Sequence, residues 1–450
     1  MLLLAMTAVA SAAEADPRGP RLAALLRGLH DRGLLNGAVV VAEEGRVIYE
    51  AGFGPANVAA GRDFTPDTPV DGASLAKMFT AAAILLLQEE GRLSLDDGVQ
   101  RHLPPFPYAE VKIRHLLAHS NGLPDYNYFD QIVPKDSVRT NQVHLQVLAE
   151  RRPALTMRPG HGFAYSNLGY DLAAMVIERV SGWIYAEFLG ERFFRRAALT
   201  SVFVRPARLA DWRGVRTAGY QAGPDGLALF DALDNEGFYG GSNLYLSTRD
   251  LHRWNQAFLP PGALPGKNAP GPGLATATLD DGRRTGISLL SWYASPEGTR
   301  HWYSGDWQAF YAVAYRDVPA RRSISFMTNN AMPQWLRPRL VAALVELLEG
   351  REQAACPAPA IREFKADSRA ALAGVYAVEK LGQVSLELSA ERAFCRVNDG
   401  LNYEMFMTAA GVHYVPGLDV WIWFDRAGEA ALRWATVLGE SRGLRQQAAP

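Results

Sequence analysis

From Met78 to Leu87 the chain reads Met-Phe-Thr-Ala-Ala-Ala-Ile-Leu-Leu-Leu, with Thr80 its one polar side chain. Ala and Leu are strong helix formers, and a Gly just past the last turn is a common helix exit. The stretch therefore predicts a helix that starts near Ser74 and stops at Gly91. Such a helix has no solvent face and must run through a core, so the remaining elements have to be arranged around it. At its mouth stand Ser74 and Lys77, three residues apart and neighbours on one helix face. Burial and the positive end of a helix both push a lysine towards its neutral form, which can accept a serine proton. Ser-x-x-Lys fixes only two residues and recurs by chance, so its surroundings have to carry the assignment.

A chain of 450 residues is too long for one small core. Its formal net charge of -1 argues against a nucleic-acid surface or a polybasic membrane anchor. Residues 1–13 form a short apolar run ending in small residues, with Ala10-Ser11-Ala12 fitting a cleavage site, although no Lys or Arg precedes it. A signal peptide is expected there, implying a periplasmic or secreted protein; the run is too short for a permanent membrane anchor. The cysteines are Cys356 and Cys395, with no zinc-type Cys/His spacing, so neither a metal nor another cofactor is expected. One disulfide and two buried thiols are both open readings for the pair.

Taken in order, Leu22, Leu25, Leu26 and Leu29 have the spacing of an amphipathic helix over Arg21 to Arg32. The runs Gly37 to Ala42 and Arg46 to Glu50, around Gly45, read as a β-hairpin. A short helix is predicted over Val111 to His119, then a loop from Asn121 to Thr140 carrying Tyr126, Tyr128 and Phe129. Those rings fit either a cleft lining or ordinary packing. Two helices, Tyr170 to Val180 and Trp183 to Ala198, break at Ser181-Gly182, and another runs from Thr248 to Phe258. Pro260 to Gly273 is a Pro/Gly loop. Three strands follow, in Trp302 to Tyr303, Ala309 to Tyr315 and Ser323 to Met327, and a closing helix over Gln334 to Leu348. An Ala/Pro linker lies within 351–365, and beyond it strict alternation at Val384, Leu386 and Leu388 begins a series of short strands.

The fold class expected is α+β: one antiparallel sheet flanked by helices, with a mostly helical subdomain, in residues 20–350. The early hairpin and the late strands would share that sheet. Residues 366–450 would form a small all-β domain, sandwich or barrel.

A second box is Tyr165-Ser166-Asn167, just before a helix. A phenol beside cations can relay protons, and an amide can orient a substrate carbonyl and a lysine together. With it come Gly72-Ala-Ser-Leu-Ala-Lys77, Ile113-Arg-His-Leu-Leu-Ala-His-Ser-Asn-Gly-Leu-Pro-Asp125 and Gly240-Gly-Ser-Asn-Leu-Tyr-Leu-Ser-Thr-Arg-Asp-Leu251. On these ordered stretches, residues 34 to 345 resemble the serine β-lactamase and penicillin-binding family, in the branch of class C β-lactamases, DD-peptidases and related esterases. The trailing β domain is similar to accessory domains that some such proteins carry. The resemblance implies Ser74 as nucleophile, Lys77 as its proton acceptor, Tyr165 as the partner base and Asn167 as a contact to the acyl side chain. The reaction implied is acylation of Ser74 followed by hydrolysis.

The third family box is Lys or His, then Ser or Thr, then Gly, on a strand facing the serine. Its best match is Tyr303-Ser304-Gly305, followed by Asp306, whose backbone N–H would join that of Ser74 as an oxyanion donor. Tyr303 departs from the pattern. In the family that cation attracts a substrate carboxylate, so its loss points to a neutral ester or amide rather than penicillin or D-Ala-D-Ala. Arg300 or His301 would replace that cation only by reaching the site, and His301 reads more simply as an ordinary strand histidine. The expected partner is thus a small-molecule or peptide-like substrate, hydrolysed as an ester, amide or β-lactam. The competing expectation is a catalytically weak family member that binds a ligand or cell-wall fragment. A Ser-His-Asp hydrolase is excluded by the lack of a G-x-S-x-G elbow.

Overall fold

The computed structural model describes residues 16–446 apart from 135, 224–225, 232–235, 260–275, 289, 292, 296–297, 333–335, 352–371, 379–381, 389–392, 398–401, 408–412, 416–419, 425–430 and 437–438. The expected leader at 1–13, the loop at Pro260 to Gly273, the Ala/Pro linker and Cys356 therefore lie outside the described residues.

The hairpin forms from Gly37–Glu43 and Arg46–Phe53. Glu44 and Gly45, both at positive φ (52° and 78°), make the two-residue turn whose twist suits paired strands. Gly37–Glu43 also pairs antiparallel with Arg322–Thr328, which continues through Phe310–Asp317 and Arg300–Trp307 to the short strand Tyr293–Ala294. One six-stranded sheet thus joins the early hairpin to the late strands, as the pattern predicts.

Both faces of this sheet are covered, and alternation along the strands sorts their side chains. Val39, Val41, Tyr311, Val313, Tyr315 and Phe326 pack with Leu22, Leu26, Leu340 and Leu344 of the helices Gly19–His30 and Leu336–Leu348. Ala38, Phe310, Ala312, Ala314 and Met327 face the other way, into a core shared with the central helix.

That helix spans Ala76–Glu89, is preceded by a 3₁₀ turn at Ala73–Leu75 and gives way to Gly91 at φ 68°. Every residue from Met78 to Leu87 is buried. Phe79 stacks on Trp254 with ring centroids 4.1 Å apart. Against the central helix lies Asn167–Ser181, capped by the Ser166 side chain and ended by Gly182 at φ 76°. The helix Asn141–Arg151 has no counterpart in the sequence reading, because buried polar residues Asn141 and His144 interrupt its apolar face. Within the aromatic loop, Tyr126–Phe129 is a short helix; Phe129 is fully buried, and the Tyr126 hydroxyl donates to Asp171. Packing accounts for Phe129, while the half-buried Tyr126 ring lies 4.5 Å from that of Phe238.

The C-terminal strands close into an eight-stranded antiparallel barrel, from Gly374–Val378 to Gly439–Arg445. Val384 and Leu386 point inward beside Tyr376, Ile422 and Leu432, which fill its core. Cys395 is buried there with a free thiol, and burial pushes its pKa up. Among the described residues no helix is long and apolar enough to cross a membrane.

Candidate active site

The turn before the central helix is shaped by its own residues. Ala73 sits at φ 46°, uncommon for a residue with a Cβ, and Asp71 accepts the Ala73 N–H at 2.8 Å to hold it there. The next residue is Ser74, half-buried, and one helical turn on comes Lys77, fully buried. Tyr165 arrives from the segment leading into Asn167–Ser181, and Asn167 is that helix's first residue.

These four side chains converge. The Ser74 and Tyr165 hydroxyls are 2.6 Å apart. Lys77 Nζ lies 3.3 Å from Ser74 Oγ, 2.8 Å from Asn167 Oδ1 and 2.6 Å from the Gly241 carbonyl oxygen. It also sits 4.9 Å from the centroid of the Tyr165 ring. Burial drives its pKa down from 10.5 to about 7, against the pull of Asp171 and Asp125 in the other direction. A neutral amine has two N–H bonds and one lone pair. The two short contacts go to carbonyl oxygens that can only accept, which leaves the lone pair for the Ser74 hydroxyl.

The strand Arg300–Trp307 forms the opposite wall. A Cβ on Gly305 would lie 2.2 Å from the Gly72 carbonyl oxygen and 3.0 Å from Ser74 N, so only glycine lets this strand come so close to the serine turn. Tyr303 shares the face of Gly305 and is buried among the tyrosines; burial first, then Tyr170 and Tyr165, raise its pKa well above 10. The position where the resemblance calls for a cation thus holds a neutral phenol. Ser304 is half-buried on the alternate face. Asp306 also points that way, and its carboxylate accepts from Arg337 Nη1 at 2.6 Å, away from the Gly305–Ser74 contact.

Neither alternative cation replaces Tyr303. His301 is buried, and desolvation, with Arg316 beside it, lowers its pKa to about 4. Arg300 is committed to Asp317 and Glu349 at 3.1 and 2.9 Å.

Several participants were missed in the sequence. Asp125 ends a stretch read there as a whole, without a role of its own. Its carboxylate accepts from the backbone N–H of Asn167 and Leu168 and from Asn167 Nδ2. His119 stacks on the Tyr165 ring at 4.6 Å and accepts from the Ser166 N–H. Asp171, one turn after Asn167 in a helix that also carries Glu178 and Arg179, is fully buried and accepts from the Gly241 N–H at 3.2 Å. Asn121 is fully buried and accepts from the Leu123 N–H, a turn within its own loop.

Known proteins share this arrangement of elements. The profile of the family described as Beta-lactamase matches residues 22–346. Penicillin-binding protein 4* of Bacillus subtilis (strain 168) is 28% identical over 426 residues, covering 91% of this chain and 94% of that protein. The octameric penicillin-binding protein homologue from Pyrococcus abyssi superposes with a TM-score of 0.63 at 20% identity, over 94% of this chain and 99% of its own. The D-amino acid amidase from Ochrobactrum anthropi SV3, solved with L-phenylalanine amide, gives 0.56 at 21% identity, over 74% and 99%. With its family profile spanning most of the chain and its fold matching these structures, the chain belongs to the Beta-lactamase family.

Proposed function

We propose that the protein is a serine hydrolase that forms an acyl-enzyme at Ser74 on a small ester or amide substrate. One observation carries this: Lys77, buried and held by two carbonyl acceptors, directs its remaining valence at the Ser74 hydroxyl. In acylation the Ser74 oxygen attacks the substrate carbonyl carbon while its proton passes to Lys77, directly or through the Tyr165 hydroxyl. The oxyanion is held by the N–H groups of Ser74 and Asp306, and one such donor is typically worth about 3 kcal/mol. Tyr165 gives its proton to the leaving group and regains one from the Lys77 ammonium. Water then adds to the acyl carbon as the same base takes its proton, and the base returns that proton to the Ser74 oxygen as the ester C–O bond breaks and the acid is released.

Asn167, already bound to Lys77, borders the acyl side of the substrate. Among the described residues of this wall, a phenol, Tyr303, stands at the cation position and Arg337 is paired with Asp306, which favours neutral substrates. The penicillin-binding relative and the amidase neighbour support acyl transfer as the reaction class. The apolar N-terminal run supports export to the periplasm or beyond. The test is turnover of a panel containing a p-nitrophenyl ester, an amino acid amide and a penicillin, with Ser74→Ala beside the wild type. Release of product that vanishes in the variant is expected, with the neutral ester or amide preferred. A folded wild type inert towards every member would favour a ligand-binding role instead.

A further inference from the structure

Each of the two carbonyl oxygens that grip Lys77 is itself held from behind by a carboxylate. Asn167 Oδ1 is turned to Lys77 because the other end of that amide, Nδ2, donates to Asp125 Oδ2 at 3.1 Å. Asp125 further accepts from the N–H groups of Asn167 and Leu168 at 3.2 to 3.3 Å, which fixes the start of that helix as well as its first side chain. The Gly241 carbonyl is placed in a parallel way. Its N–H donates to Asp171 Oδ1 at 3.2 Å, and Asp171 is fully buried. The fit there is close: a Cβ on Gly241 would lie 3.0 Å from the Asn167 carbonyl oxygen and 3.1 Å from Asp171 Oδ1.

We propose that Asp125 and Asp171 are a pair of positioning residues for Lys77, holding its two acceptors and supplying the negative charge that keeps it a competent base. This rests on Lys77 being the base proposed above. Among the described residues, neither carboxylate has an arginine or lysine nitrogen within 4.0 Å; the ionisable nitrogen facing Asp171 is His144 Nδ1 at 3.5 Å. Both carboxylates act electrostatically on Lys77, and Asp171 also accepts from the Tyr126 hydroxyl at 2.9 Å.

The other groups around the amine do not supply that charge. Ser74 and Asn167 contact it through a hydroxyl and an amide oxygen, and Tyr165 and Tyr170 present their rings at 4.9 and 5.7 Å. From the loop before Asn121, buried His119 is held well below its ordinary pKa, by burial first and then by Lys77. Tyr126, behind Asp171, has its pKa raised well above 10 by burial and the two carboxylates. Desolvation alone would leave Lys77 a weak acceptor; the two carboxylates oppose it. They also face the ammonium that forms as Ser74 gives up its proton, so the stabilising charge is already in place before the reaction.

The test uses the full chain with Asp125→Asn, Asp171→Asn and the charge-retaining Asp125→Glu. The readout is the rate of fluorophosphonate labelling of Ser74 from pH 5 to 9, with far-UV circular dichroism of each variant. For the two Asn variants the acid limb of the rate profile is expected to move to lower pH by about half a unit or more, and the plateau to fall about tenfold. Asp125→Glu is expected to keep the limb where the wild type has it, at a reduced plateau. A lowered plateau with an unmoved limb in both Asn variants would reduce the carboxylates to packing and overturn the proposal, as would failure of both to fold. A wild type that labels at Ser74 without any limb near neutrality would instead overturn Lys77 as base, and the present inference with it.

Discussion

The Ser74 hydroxyl is closer to the phenol of Tyr165, at 2.6 Å, than to the amine of Lys77, at 3.3 Å. The serine hydroxyl therefore has two neighbours able to take its proton, and the shorter contact is the phenol. Tyr165→Phe preserves the ring that stacks on His119 but removes the relay and the donor to the leaving group. A fall in kcat of about 10²- to 10³-fold is expected, with the thermal midpoint little changed. Steady-state kinetics beside a melting curve checks both.

Lys77 is expected to set the pH dependence. Because its pKa in the fold is about 7, kcat/KM is expected to rise with pH through that value as the amine loses its proton. The same shift has a consequence for stability. The unfolded lysine titrates near 10.5, so between that pH and about 7 the unfolded chain binds a proton that the folded chain does not. Stability contributed by this group therefore falls as pH drops through that window. Lys77→Met is expected to lose activity and to melt with a flatter dependence on pH from 10 to 7.

Gly305→Ala tests the closeness of the facing strand. The added Cβ would meet the Gly72 carbonyl and Ser74 N at 2.2 and 3.0 Å, so the strand must retreat from the serine turn. That displacement is expected to cost about 10²-fold or more in kcat through the oxyanion contacts, and about 1–3 kcal/mol in stability. Chemical denaturation and kinetics on one preparation separate the two effects.

Tyr303 is the residue expected to set the preference for uncharged substrates. A neutral ester is expected to be turned over about tenfold faster than its analogue carrying a carboxylate on the leaving side. Tyr303→Lys is expected to narrow or reverse that ratio. Paired kcat/KM values for the two substrates decide it, and an unchanged ratio would remove Tyr303 from the specificity account.

Much of this is legible in the sequence, for reasons that differ by element. The central helix was readable because burial on every side removes the polar residues that would otherwise blur its limits, and the hairpin because Gly45 punctuates two apolar runs. Ser74, Lys77, Tyr165 and Asn167 were found through local boxes, and the fold brings them within hydrogen-bonding distance of one another. What escaped was the support behind them. Asp125 and Asp171 act on Lys77 through Asn167 and Gly241, contacts that span long stretches of sequence and leave no spacing to recognise. The direction of the Asp306 carboxylate depended on strand alternation and on Arg337, which lies 31 residues on. Helix Asn141–Arg151 was lost because its buried face is partly polar.

The most direct measurement is the intact mass of the protein after exposure to a p-nitrophenyl ester or a fluorophosphonate, followed by proteolysis to locate the adduct. The acyl-enzyme account predicts a single adduct on the peptide containing Ser74, absent from Ser74→Ala. A folded wild type with no adduct, or with one on another residue that survives in Ser74→Ala, would contradict it.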